Sequence, residues 1–155
     1  MVSVGVPALG RTAIHFAEPG VKVNGQYYRD IIQGLLPGIL TFSDYYTLQE
    51  DGASAHRARE TVELLGNETP DFIPSTLWPP NSPDLNPVDY TIWSVMWESV
   101  HRAKVRDIKD LRQRIMQAWD DLIRIQGSID ALVKQRLTRL HACVTANGRQ
   151  FEHKL

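Results

Sequence analysis

The stretch WPPNSPDLNPVDYTIW, residues 78–93, carries four of the chain's nine prolines between Pro79 and Pro87. Proline fixes its own φ angle and disfavours a helical residue before it, so this run predicts a rigid, non-helical loop. Asn86 and Pro87 suit the N-cap and the first position of a helix. The helix should therefore begin at Pro87, with Asp89 in its first turn.

Two interpretations of Asp89 follow from that position. The helix dipole and the free N–H groups of the first turn favour an ionised carboxylate there. A carboxylate held on a rigid loop is a good ligand for a hard cation. Compensation of the dipole alone would also explain the residue. Asp84, earlier in the loop, is expected to cap its own turn.

A second candidate carboxylate, Asp51, lies in LQEDGASAH, residues 48–56. Residues 45–51 are predicted as a strand and residues 52–67 as a helix. Asp51 would then follow the carboxyl end of a strand, where open α/β sheets usually build their sites. The alternative is that Asp51 is the N-cap of the helix. The predicted apolar side of that helix consists of Ala58, Val62 and Leu65.

Hydrophobic periodicity predicts the remaining elements. Residues 2–18 are expected to form a hairpin with its turn at residues 8–11, and residues 71–78 a further extended segment. Residues 21–36 should open with a polar turn at Asn24-Gly25 and continue as a helix that ends at Pro37. Three helices are predicted after Pro87, over about 87–103, 107–126 and 129–146. Apolar stripes typical of core-facing helices run through the last two: Leu111, Ile115, Trp119 and Leu122, then Ile129, Val133, Leu137, Leu140 and Val144.

Composition indicates one ordinary globular domain. The chain has 155 residues, of which 43% are hydrophobic and 23% are charged. The sequence has no apolar run near the roughly 18–20 residues that cross a membrane, so no membrane partner is expected. Cys143 is the single cysteine, which excludes an intrachain disulfide and favours a reducing compartment.

Charge is distributed unevenly along the chain. Residues 1–100 contain five Lys or Arg against twelve Asp or Glu, a net of −7, whereas residues 101–155 contain twelve against six, a net of +6. The basic part has two interpretations, a solvated helix surface or a surface that attracts nucleic-acid phosphates. The candidate phosphate contacts are Arg102, Lys104, Arg106, Lys109, Arg112 and Arg114.

The segments QEDGASAH (49–56), WPPNSPDLNPVDYTIW (78–93) and ACVTANGRQFEH (142–153) together resemble mariner-like transposases of the Tc/mariner superfamily. The resemblance extends over essentially the whole chain. It implies an α/β, ribonuclease H-like catalytic domain in which three acidic residues hold two divalent cations, usually Mg²⁺, with Mn²⁺ as a substitute. The implied activity is DNA strand cleavage and strand transfer.

Site residues carry over from that family by position. Asp51 matches the second acidic residue and Asp89 the third, whereas Asp84 matches a turn residue of the motif rather than a metal ligand. The resemblance thus implies that Asp51 and Asp89 are catalytic and metal-ligating. His56 lies in the same motif as Asp51. It is expected either to pack and cap the local structure or to contact the site or DNA.

The family's first acidic residue lies on a central strand that precedes the hairpin, and neither Asp30 nor Asp44 matches it. We therefore expect residues 1–155 to be a partial catalytic domain, with strands and helices in 1–86 and mainly helices in 87–155. The chain by itself is expected to be inactive or nearly so. The alternatives are a non-catalytic remnant that binds nucleic acid or a transposase, and a remnant with no cellular role.

The resemblance also implies partners and a location. The expected partner is DNA at the ends of a transposon, together with a full-length transposase or a second copy of the chain. The expected compartment is the nucleus, or the cytosol if the chain is not imported.

Overall fold

The computed structural model of the chain describes residues 1–6, 12–41, 43–80, 82–124 and 126–154. These residues form two compact units, the N-terminal unit Met1–Ser82 and the C-terminal unit Pro83–Leu155. Among the described helices, none combines the length and the apolar character needed to span a bilayer.

The N-terminal unit begins with the expected hairpin. Strand β1 (Val2–Ser3) pairs antiparallel with strand β2 (His15–Phe16). The paired segment is shorter than the predicted hairpin over residues 2–18, and the turn expected at residues 8–11 lies outside the described residues.

A second, parallel pair of strands follows. Strand β3 (Thr47–Gln49) pairs with strand β4 (Asp71–Ile73), so that Leu48 lies opposite Phe72. Helix α2 (Arg59–Glu68) connects the two strands, as parallel neighbours require a crossover connection. The strands predicted over 45–51 and 71–78 are confirmed, although each is shorter.

Helix α1 (Gly25–Leu40) begins where Asn24 Oδ1 accepts a hydrogen bond from the backbone N–H of Tyr27 at 2.9 Å. The expected end at Pro37 is wrong, because the helix continues to Leu40. Pro37 falls in the last turn, where the loss of one backbone hydrogen bond is offset by the burial of Ile39 one turn after Leu36.

Helix α2 begins seven residues later than predicted, at Arg59 rather than residue 52. The backbone carbonyl of Ala53 accepts hydrogen bonds from the N–H groups of His56 and Arg57 at 3.0 and 3.1 Å. This turn does not continue as a helix, because Ala58 has an extended backbone and serves as the N-cap of α2. Asp51 is therefore not the N-cap of this helix.

The core of the N-terminal unit forms between α1, α2 and the parallel strands. Its buried members are Tyr28, Ile32, Leu36, Ile39, Ala55 and Leu65, with Leu48 and Phe72 packed against them. Gly25 permits a close approach at the start of α1, since a Cβ atom there would lie 2.9 Å from the Cβ of Ala58.

The C-terminal unit is helical, as predicted. A 3₁₀ turn (Pro83–Leu85) and a π-helical turn (Val88–Ile92) lead into helix α3 (Trp93–His101). Helices α4 (Ile108–Arg124) and α5 (Gln126–Thr145) follow, close to the predicted bounds. The buried residues of α3 and α4 are Met96, Val100, Ala118, Trp119 and Leu122.

The apolar stripe predicted for α5 is not confirmed as a buried face, because among its described members only Leu140 is half-buried and the other two are exposed. Leu137 and Val144 are 59% and 73% exposed, and the side chains of Ile129 and Val133 lie outside the described part. Arg139 is buried instead. The helix presents this face because the guanidinium group finds a carbonyl and an aromatic ring there, described below.

Candidate metal-binding carboxylates

Asp51 lies two residues beyond the carboxyl end of β3, as predicted. Its Oδ1 accepts a hydrogen bond from the backbone N–H of Ala53 at 3.0 Å. This turn, closed by a side chain two residues before the donor, is a common role for Asp in loops. The side chain remains 46% exposed, so a solvated cation can approach it.

His56 contacts the carboxylate of Asp51 directly. Its Nδ1 lies 2.6 Å from Asp51 Oδ1 and 3.2 Å from the backbone oxygen of Asp51. Since both partners are acceptors, Nδ1 carries the proton and donates to them. The imidazole also packs on the ring of Tyr28, with 4.2 Å between ring centroids. His56 therefore combines the two roles that the sequence left open, packing and contact with the candidate site.

Behind Asp51, the hydroxyl group of Tyr28 donates a short hydrogen bond to Glu50 Oε1. Burial raises the pKa of Glu50 above its ordinary value, and the hydrogen bond from Tyr28 opposes the shift. Burial, followed by the nearby charge of Glu50, also raises the pKa of Tyr28. The pair anchors the backbone just before Asp51 to helix α1.

Sequence reasoning did not identify the contact between Tyr28 and Glu50, although two signals pointed to it. Side chains alternate between the two faces of an extended chain, so Glu50 shares the side of Leu48, which packs against the core. A buried tyrosine hydroxyl usually requires a hydrogen-bond partner. The first rule turns Glu50 towards the core and the second requires an acceptor for Tyr28, but neither rule pairs the two residues.

We expect Glu50→Ala to lower the free energy of unfolding by about 1–3 kcal/mol, because the buried Tyr28 hydroxyl loses this acceptor. Glu50→Gln is the matched control, since it keeps an acceptor oxygen. Urea denaturation in the presence of EDTA measures both. Equal losses in the two variants would show that the hydrogen bond contributes little.

The same pair predicts a pH dependence of stability. Because the pKa of Glu50 is raised in the folded chain, its contribution to stability is greatest below the ordinary carboxyl value of 4.5. That contribution decreases as the pH rises through the unfolded value towards the folded one. Glu50→Gln should remove this part of the pH dependence.

Asp89 occupies the first turn of its helix, as the sequence predicted. Asn86 Oδ1 accepts from the backbone N–H of Val88 at 3.2 Å, and the backbone oxygen of Asn86 accepts from Asp89 at 2.9 Å. The amide of Asn86 donates to Asp89 Oδ2 at 2.9 Å. The side chains of Asn86 and Asp89 thus fix each other at the start of the helix.

The first turn is π-helical rather than α-helical, a feature that the sequence did not indicate. Such turns occur frequently at functional sites. Ile92, at the end of the turn, is fully buried. This burial fixes the turn that carries Asp89 on the hydrophobic core of the C-terminal unit.

Arg139 supports the loop before Asp89. Its Nε donates to the backbone oxygen of Asp84 at 2.5 Å. The guanidinium group lies 4.2 Å from the ring centroid of Tyr90 and 5.6 Å from that of Phe151. The buried guanidinium group of Arg139 on α5 therefore contacts both the 3₁₀ turn, at Asp84, and Tyr90, the residue after Asp89. The sequence did not predict the burial of Arg139, because an arginine on an amphipathic helix is expected on the exposed face.

The carboxylates suit the donor chemistry of a hard divalent cation. Mg²⁺ and Mn²⁺ prefer oxygen ligands, and an ionised carboxylate accepts about four contacts. The contacts given above for Asp51 involve Oδ1 alone. Within the described residues, no group of three or more His, Cys, Asp or Glu side chains is arranged to hold a metal ion.

The candidate phosphate contacts differ in their surroundings. Arg102, Lys104 and Lys109 are exposed. Arg106 pairs with Asp110 at 3.5 Å. These four residues remain candidates for contact with nucleic acid.

Arg114 is engaged within the C-terminal unit instead. It donates to the backbone oxygens of Val100 at 3.2 Å and Ala103 at 2.7 Å, at the end of α3. Its Nε also donates to Asp110 at 3.0 Å. The hydrogen bond from Arg114 and that from the backbone of Arg106 lower the pKa of Asp110 to about 2. Arg114 therefore holds the end of α3 against α4.

No protein-family model and no curated protein matches the sequence. Solved structures do match the fold. The catalytic domain of Mos1 transposase with raltegravir and Mn has a TM-score of 0.82 and 19% identity, over 97% of this chain and 76% of that one. The catalytic domain of Mos1 mariner transposase has a TM-score of 0.80 and 19% identity, over 97% and 75%.

A structure of the Mos1 strand transfer complex also matches, with a TM-score of 0.82 and 20% identity, over 97% of this chain and 43% of that one. At these identities the likeness establishes a shared fold. The chain thus has the mixed α/β fold of the Mos1 catalytic domain, in agreement with the expected ribonuclease H-like class. The predicted truncation before β1 stays a prediction.

Proposed function

We propose that the chain is part of the catalytic region of a mariner-like DNA transposase, whose activity is divalent-metal-dependent cleavage and transfer of DNA strands. The observation that carries the proposal is the match of 97% of the chain to Mos1 catalytic domains. The local geometry of Asp51 and Asp89, at the positions of two motif carboxylates, supports it further.

Asp51 and Asp89 are the proposed metal ligands and catalytic residues, with Mg²⁺ or Mn²⁺ as the ion. Held by these carboxylates, the ions would supply activation of the attacking oxygen and stabilisation of the leaving oxygen. In this chain, His56 and the N–H of Ala53 orient Asp51. Asn86 orients Asp89. A carboxylate whose rotamer is fixed in this way loses less conformational entropy when it binds an ion.

The proposed ligands predict metal binding that depends on both residues. Titration of the chain with Mn²⁺, followed by electron paramagnetic resonance of the free ion, should detect binding at millimolar concentrations or below. We expect Asp51→Asn and Asp89→Asn each to weaken it by about tenfold or more, as even residues that only support metal ligands contribute 10–100-fold. Asp44→Asn is the matched control, since this exposed carboxylate does not belong to the motif.

Absence of Mn²⁺ binding, or equal binding by all variants, would contradict the assignment of the ligands. A second measurement addresses catalysis, the nicking of supercoiled plasmid DNA with Mg²⁺ or Mn²⁺. The proposal expects little or no turnover by this chain, because Asp51 and Asp89 are two of the three carboxylates implied by the family. Turnover that disappears in both variants would support the family and refute the expected inactivity.

The second candidate function is non-catalytic binding of nucleic acid or of a transposase. The exposed side chains of Arg102, Lys104 and Lys109 favour the first of these. Binding through phosphates must weaken as salt increases. Salt-insensitive binding, or none, would count against this function. The proposed partners are DNA at transposon ends and a second transposase chain, and the proposed compartment is the nucleus.

A further inference from the structure

The exposed face of α3 carries a stacked aromatic pair that the proposed chemistry does not use. The rings of Trp97 and His101 lie 3.6 Å apart between centroids, at an interplanar angle of 29°. His101 Nδ1 also donates to the backbone oxygen of Trp97 at 2.9 Å, which fixes the imidazole. The pair is therefore held in one geometry by the helix itself.

One face of this pair remains open to solvent. Trp97 is 65% exposed although His101 covers one side of its ring, so the other side of the indole is available. An exposed tryptophan buries a large area on contact and loses little conformational entropy. The open face of the indole is thus suited to stack against another planar ring.

Positive charge lies within reach of the pair. Arg102 follows His101 directly, and Lys104 is three residues from His101, at most about 11 Å between Cα atoms. Both side chains are exposed. Among the described contacts, neither side chain forms an ion pair. Glu98, four residues before Arg102, is the acidic neighbour on α3.

We propose that Trp97 and His101 form a stacking platform for an unpaired base of a DNA strand, with Arg102 and Lys104 as contacts to its phosphates. Bases in a duplex cover one another's faces, whereas an unpaired base can stack on an aromatic side chain. Aromatic rings beside cations are the common arrangement in proteins that bind single strands. This binding needs neither metal nor the carboxylates of the proposed function.

A second copy of the chain fits this surface less well. The core of a protein interface is depleted of charge and enriched in apolar side chains. On α3, the other exposed large apolar residue is Val95. The residues that follow the platform are cationic, which complements phosphate better than an apolar surface.

The test compares single-stranded and duplex oligonucleotides of equal length by fluorescence anisotropy, in EDTA and at low salt. We expect Trp97→Ala to weaken binding of the single strand by about 5- to 150-fold, the usual range for the loss of one stacked base. Binding of the duplex should change by less than about threefold. Trp97→Phe should retain most of the affinity because it keeps an aromatic face. Val95→Ala, on the same helix, is the matched control and should have no effect.

The salt dependence of the affinity distinguishes the contribution of base stacking from that of the phosphate contacts. Trp97→Ala should leave the slope of log affinity against log salt unchanged, whereas Arg102→Gln and Lys104→Gln should each reduce it by about 0.7. Asp51→Asn and Asp89→Asn should leave binding of the single strand intact, so failure of the catalytic proposal would not affect this result. Three outcomes would overturn the platform: no binding of the single strand, equal losses on single strand and duplex, or a change of oligomeric state in Trp97→Ala by light scattering.

Discussion

Replacing Arg139 with alanine is expected to lower the free energy of unfolding of the C-terminal unit by about 2–4 kcal/mol, the sum expected for a charged hydrogen bond and a cation–π contact. The guanidinium group is buried, donates to the backbone oxygen of Asp84 and lies over the ring of Tyr90. Its removal leaves this acceptor without its donor and opens a space beside two aromatic rings. Since folded domains are stable by only about 5–15 kcal/mol, the loss would be large.

Urea denaturation followed by tryptophan fluorescence measures the effect of Arg139→Ala. Three of the four tryptophans, Trp93, Trp97 and Trp119, belong to the C-terminal unit, so the signal reports mainly on it. Arg149→Ala is the matched control, because Arg149 is exposed and should contribute within about 0.5 kcal/mol. Arg139→Lys keeps the charge but not the planar group and should fall between the two. A loss in Arg139→Ala no greater than that in Arg149→Ala would show that the buried contacts are not stabilising.

Arg139 also contacts residues before and after Asp89 in the chain, and so it can affect the position of the Asp89 carboxylate. The arginine holds the loop at Asp84, and Tyr90 directly follows Asp89. If this support positions the carboxylate, Arg139→Ala should weaken Mn²⁺ binding under conditions in which the variant is still folded, as judged by circular dichroism. Arg149→Ala should not. Unchanged metal binding in a folded Arg139→Ala variant would assign the arginine to stability alone.

The second large effect is expected for Ile92→Ala, which should lower the free energy of unfolding by about 2–5 kcal/mol. Ile92 is 0% exposed and ends the π-helical turn that begins at Val88. Truncation removes apolar surface from the core and leaves a cavity, and both effects destabilise the unit.

Ile92→Val is the graded control and should cost about 0.5–1.5 kcal/mol. Val95→Ala, one turn further and exposed, should be nearly neutral. The same denaturation experiment measures all three variants. If Ile92→Ala were no more destabilising than Ile92→Val, the surrounding residues would have to collapse into the space, and the π-helical turn would then be less rigid than its burial indicates.

Local rules predicted much of the candidate site. The N-cap at Asn86 and the position of Asp89 in the first turn follow from the sequence Asn-Pro-Val-Asp, because capping depends on residues a few positions apart. The position of Asp51 after β3 followed from a strand pattern that ends at an acidic residue. The hairpin and the three C-terminal helices were predictable for the same reason.

Errors arose where a specific packing or side-chain contact overrides the local preference. Pro37 predicted the end of α1, yet burial of Ile39 in the core extends the helix. Residues 52–58 have helical composition, but the contacts of Asp51 with Ala53 and His56 favour a turn there. In both places the competing interaction involves packing or a side-chain contact that the pattern of apolar residues does not encode.

The sequence by itself determined the class of the elements, the order of the motifs and the two carboxylate positions, because those depend on local spacing and backbone preference. Only the tertiary structure decided which distant side chains support the segments that carry these carboxylates. The contacts of Glu50 with Tyr28 and of Arg139 with the Asp84 carbonyl join residues 22 and 55 positions apart. Such contacts form because a buried polar group must find a partner, and folding alone decides which partner comes within reach.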